Sequence, residues 1–123
     1  MNQKPNGINI EINGIKYIPA SELEDKEINL ENYCIIRTYS AGVFAGTIID
    51  RKDREVKLKN ARRIWYWDGA ASLSQLAMEG VSKPENCKFP CEVTEITLLD
   101  VLEIIPCTQK AIKSIKGVKI WKA

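Results

Sequence analysis

The chain contains no histidine. That absence removes the commonest general base, the commonest metal ligand and every Ser-His or Cys-His nucleophile arrangement. Apolar runs such as Leu98-Leu99 and Val101-Leu102, split by Asp100, fall far short of the roughly 20 residues that span a bilayer. No Gly-x-Gly-x-x-Gly and no Walker lysine is present, which excludes dinucleotide-fold and P-loop readings. The start, Met-Asn-Gln-Lys-Pro-Asn-Gly, lacks the apolar stretch of a secretory signal, so the expected compartment is the cytoplasm. Carboxylate pairs such as Asp68 with Glu79 or Asp100 with Glu103 have no signature spacing for acid-base work or magnesium. No catalytic residue, no cofactor and no metal site is therefore expected.

What is present is an ordinary globular composition in 123 residues, 45% hydrophobic and 28% charged, enough for one core. Cys34, Cys87, Cys91 and Cys107 read as free buried thiols; half of a four-thiolate zinc site at Cys87-x3-Cys91 is the alternative, at a loose spacing. The net charge of +2 is too small for generic DNA or RNA binding. Its distribution is uneven, however. Glu22, Glu24, Asp25, Glu27 and Glu31 make an acidic stretch, whereas residues 51 to 63 hold Arg51, Lys52, Arg54, Lys57, Lys59, Arg62 and Arg63. Lysines spaced by three from Lys110 to Lys122 read as a solvated face.

Alternation of Ile8, Ile10 and Ile12, then Asn13-Gly14, then Ile15, Tyr17 and Ile18, predicts an N-terminal hairpin, with a connector to residue 31. The core domain is expected over 32–123. Residues 33 to 67 read as a three-strand meander with turns at Ser40-Ala41-Gly42 and Asp50 to Arg54. A short helix is expected from Gly69 or Ala70 to Glu79, stopped by Gly80. Residues 80 to 91 read as a mobile flap. Strands around Val93 to Leu98 and Val101 to Ile105, and a helix capped by Thr108 and stopped by Gly117, complete the chain, with Val118, Ile120 and Trp121 as an added edge strand. The fold class is α+β: a small antiparallel sheet or partly open β-barrel with one or two short helices packed on it.

The densest chemistry is in residues 60 to 72. Strand alternation puts Arg62, Ile64 and Tyr66 on one face and Arg63, Trp65 and Trp67 on the other. With Ile64 buried, two indoles share the outer face, an exposure that calls for a covering partner. Trp65 or Trp67 would stack a base, and Arg62 or Arg63 would hold phosphate. Gly69, Ala70 and Ser72 would offer helix-start amides and a hydroxyl to an anion, and Arg37 and Tyr39 would approach the same sheet end. The alternative reading of the same residues is core or subunit-interface packing with solvated arginines.

Ile36-Arg37-Thr38-Tyr39-Ser40-Ala41-Gly42-Val43, then Asn60 to Trp67 with Gly69-Ala70-x-Ser72-Leu73, then Glu103-Ile104-Ile105-Pro106-Cys107, together resemble a domain family of unknown function found in tailed bacteriophages and prophages. The resemblance covers about residues 33 to 121 and leaves the N-terminal hairpin as an addition. It implies a small protein acting inside an infected bacterial host. By analogy with other small phage proteins, the expected function is anti-defence: a non-catalytic sponge, forming a homo-oligomer, that sequesters a nucleotide-derived immune signal such as a cyclic oligonucleotide or ADP-ribose derivative. The alternative is a phage interaction module that inhibits a host protein or binds a virion protein through the aromatic and arginine surface.

Overall fold

In the computed structural model, which describes residues 31–122, β1 (Tyr33–Thr38) and the first half of β2 (Val43–Lys52) are buried on both faces. Their apolar runs, Tyr-Cys-Ile-Ile and Val-Phe-Ala, lack the hydrophobic-polar alternation of a half-solvated strand for that reason. β3 (Glu55–Arg63), β4 (Glu92–Leu98) and β5 (Val101–Pro106) complete an antiparallel sheet of order β4-β3-β2-β1-β5. Among the described residues two α-helices, α1 (Leu73–Glu79) and α2 (Gln109–Gly117), join the sheet in an α+β fold. The expected N-terminal hairpin lies outside the described residues.

The sheet has a core on each side. Tyr33, Ile35 and Ala45 point toward the helices and pack with Leu76, Ala77, Phe89, Ile112 and Ile115. Cys34, Ile36 and Phe44 point the other way and pack with Val56, Leu58, Leu98 and Val101. No described helix contributes to that second core; the β2–β3 hairpin does, by rolling over it. Thr47 of β2 opposes Tyr33 at the start of β1, yet the Arg54 carbonyl at the hairpin tip accepts from Val101 N at 2.9 Å, and Val101 opposes Thr38 at the end of β1. The hairpin must therefore bend back along β1.

Two irregularities make the bend. Ala45 opposes Arg62 and Thr47 opposes Lys59, so β3 carries an extra residue there; Asn60 takes it up at φ 51°, a left-handed conformation asparagine tolerates. Facing it, Gly46 has no room for a side chain, since a Cβ would stand 3.0 Å from the Ala61 Cα. Ile48 and Asp50 oppose Leu58 and Lys57, which leaves Ile49 as the extra residue of β2. The roll brings the sheet's opposite edges together at one end, where Leu99 and Asp100 alone join β4 to β5. The sheet stays open along the rest of those edges, as β4 and β5 do not pair.

Helix α1 starts at Leu73, later than the predicted Gly69 or Ala70, because Ser72 is its N-cap and accepts from Gln75 N at 3.3 Å. Gly80 ends it at φ 79°, packed so tightly on Ser114 of α2 that a Cβ would collide with the serine side chain. Thr108 caps α2 and also donates to the Met78 carbonyl at 2.6 Å, binding the two helices end to end. Residues 80–91, read from composition as a flap, are instead tied down. Phe89 is fully buried, Lys88 bridges to Tyr66, and Pro84–Asn86 form a 3-10 turn.

Candidate functional site: an aromatic strip over three segments

Three short segments meet beyond the end of β3. Trp65 N and Tyr66 N both donate to the Lys88 carbonyl, at 3.2 and 3.3 Å, and Lys88 N donates back to the Tyr66 carbonyl at 2.8 Å. Phe89 then bridges in parallel to Ile120, and its carbonyl accepts from Trp121 N at 3.0 Å. Burial of Phe89 turns its neighbour Lys88 outward, and ring contacts gather Trp65, Tyr66, Lys88 and Trp121 into one exposed strip, with exposed Ile120 next in the chain to Trp121.

The indoles of Trp65 and Trp121 lie within 3° of parallel, their centroids 6.4 Å apart, and Trp65 remains 62% exposed. Tyr66, Ile120 and Trp121 are also exposed. Lys88 Nζ stands 5.6 Å from the Trp121 ring centroid and 5.9 Å from that of Tyr66, a cation held between two π faces. Among the described residues no carboxylate forms an ion pair with it. Trp121, Ile120 and Lys88 were not singled out for binding in the sequence. The available signal was an indole flanked by Lys119 and Lys122, read there as an edge strand.

The predicted site residues disperse. Arg62 is 3% exposed and donates to three carbonyls: Pro90 at 2.9 Å, Ile115 at 2.8 Å and Phe89 at 3.0 Å. Burial pushes its guanidinium down from the ordinary value, opposed by Tyr33 and Glu92, and burial pushes the Tyr33 phenol up. Arg63 faces the opposite side of the sheet, donating to the Ala41 carbonyl at 2.7 Å with its guanidinium 4.3 Å from the Phe44 centroid. Arg37 pairs with Glu103 at 2.8 Å, and Tyr39 is exposed beside the same turn. Trp67 turns inward against the helix-side core and donates to the Ala70 carbonyl at 3.2 Å, because the regular strand ends at Arg63.

The helix-start residues are engaged locally. Ala71 N donates to Gln75 Oε1 at 2.8 Å, and Ser72 caps the helix. Gly69, at φ 90°, is pressed against the Ser82–Lys83 backbone, where a Cβ would stand 2.5 Å from Lys83 N. Asp68 accepts from Asn86 Nδ2 at 2.9 Å, which fastens the preceding loop to the 3-10 turn. Among the described residues no group of three or more His, Cys, Asp or Glu is placed to hold a metal ion, and no helix is long and apolar enough to cross a membrane.

Residues 31–115 match the family model described as Domain of unknown function (DUF6948). The chain belongs to this family. The matched span contains Arg62, Arg63, Trp65, Tyr66 and Lys88, and ends before Ile120 and Trp121, so the strip joins family residues to residues C-terminal to the match. No curated protein and no solved structure matches the chain.

Proposed function

We propose that this chain is a non-catalytic interaction module that engages a partner protein through the aromatic strip. The observation that carries the reading is the exposed, parallel Trp65–Trp121 pair with Lys88 set beside it. Backbone ladders to Lys88 and Phe89 fix the main chain beneath both indoles, and their mutual stacking lowers the side-chain freedom left to be lost on binding. Rigid tryptophan and tyrosine side chains around one cation are the residue types that dominate interface energetics. The resemblance to tailed-phage proteins makes a host or virion protein the natural partner and an infected bacterial cytoplasm the setting.

Affinity capture from bacterial lysate, followed by titration of the purified partner, tests this. Trp65→Ala and Trp121→Ala should each weaken binding at least about tenfold. A partner held equally well by both variants would remove the strip from consideration.

Sequestration of a nucleotide-derived immune signal is the second reading, favoured by the two indole faces and Lys88, which suit a base and a phosphate. The single-chain geometry supports it less. Arg62 is committed to carbonyls, and Arg63 lies on the other side of the sheet. Neighbouring subunits of a homo-oligomer would have to enclose the ligand. Thermal-shift screening against cyclic dinucleotides, cyclic trinucleotides and ADP-ribose derivatives separates the readings, since a ligand of the folded state raises the melting temperature by mass action.

A further inference from the structure

The two edges of the sheet are unequally protected. β5 carries a register shift, with Arg37 opposite Glu103 but Thr38 opposite Val101, and it ends on Pro106. Such features discourage another strand from pairing. β4, with the sequence Glu-Val-Thr-Glu-Ile-Thr-Leu, has neither lysine nor proline, and its only ladder partner among the described residues is β3. Beside it is a cavity of about 150 Å³ lined by Phe44, Ala61, Val93 and Ile96, with Pro90, Cys91 and Arg63 completing its wall. Arg63 is held there by the Ala41 carbonyl and the Phe44 ring, and among the described residues no carboxylate pairs with it. An uncompensated guanidinium thus borders an apolar hole at the start of an open strand edge.

We propose that this edge and cavity dock the free C-terminus of an extended peptide. A strand added antiparallel to β4 finishes beside the start of β4, which is where Arg63 and the cavity are. Pro90, lacking an N–H, stops the ladder at that end. The last side chain of the peptide, an aliphatic one, fills the space between Phe44 and Val93. Its carboxylate takes the remaining donors of Arg63, whose planar fork suits two oxygens. Main-chain hydrogen bonds to β4 supply affinity, and the end group supplies specificity. The site lies beyond the strip reading and does not use its residues.

The test is panning the full chain against random octapeptides displayed with free C-termini. Enriched peptides should end in an aliphatic residue, and amidating that terminus should weaken binding at least about tenfold, as should Arg63→Gln. Thr94→Pro, which takes a backbone N–H out of β4, should abolish binding with the circular dichroism spectrum retained, while Trp65→Ala should leave it intact. Absence of enrichment, or peptides that bind equally well when amidated, overturns the proposal. The amidation comparison uses the unaltered protein and so does not depend on how any variant folds.

Discussion

Arg62 Nη1 donates to the Ile115 carbonyl at 2.8 Å, joining the sheet strand β3 to the C-terminal turn of α2. The same guanidinium satisfies the Phe89 and Pro90 carbonyls, so one side chain holds strand, helix and the 80–91 segment together.

Arg62→Met should cost about 2–3 kcal/mol in urea unfolding, because three carbonyls lose a charged donor at a buried site, although the Phe89 and Ile115 carbonyls keep Trp121 N and Val118 N. Arg62→Lys should recover under half of that loss, since an ammonium cannot reproduce the planar fork. Full stability in Arg62→Met would show that the carbonyls find other partners.

Gly80→Ala should destabilise by about 2–4 kcal/mol, combining left-handed backbone strain with the collision on Ser114. Measured against the Ser114→Gly single variant, which itself loses the Val81 N hydrogen bond, Gly80→Ala should cost less than in the parent, leaving the backbone part. An equal cost of Gly80→Ala in the Ser114→Gly background would place the whole effect in the backbone.

Cys34, Cys87 and Cys107 are buried and Cys91 is exposed. Burial pushes the Cys34 thiol up to about 11 and the Cys107 thiol to about 12, and raises Cys87 as well. Ellman's reagent at pH 8 should therefore modify Cys91 rapidly in the native protein, and the other three only after denaturant is added. Rapid reaction of all four thiols without denaturant would contradict the packing.

These raised thiols also set a sign for alkaline stability. Well below pH 9, Cys34 and Cys107 are protonated in both folded and unfolded chains and contribute no slope. Between an ordinary value of 9.0 and folded values of about 11 and 12, the unfolded chain releases protons that the native chain retains. Stability then falls as pH rises. The melting temperature should drop from pH 8.5 to 10.5, and a Cys34→Ala, Cys107→Ala double variant should show a shallower drop.

Much of the fold was legible because alternation and turn chemistry are local. The meander, the β4 and β5 strands and the Thr108 cap all depend on neighbours within a few residues. The start of α1 was misplaced because Gly-Ala-Ala-Ser satisfies either a helical turn or a tight corner; contact with the Ser82–Lys83 backbone selects the corner. Parity along β3 placed Arg62 with Ile64 and Arg63 on the other face, and both Arg62 and Ile64 are buried. Parity failed at Tyr66, which is exposed, and at Trp67, which turns inward, both beyond the last regular strand residue. Trp121 stacks on a residue 56 positions earlier, and no local pattern announces such a pairing.

β1 carries a further consequence for the order in which the molecule is made. Arg37 and its β5 partner Glu103 are separated by 66 positions, so on a translating ribosome β1 emerges long before the strand that completes its second side. Until then one of its borders and its Ile-Ile pair are open to other chains, a hazard specific to the nascent protein and absent from the finished one.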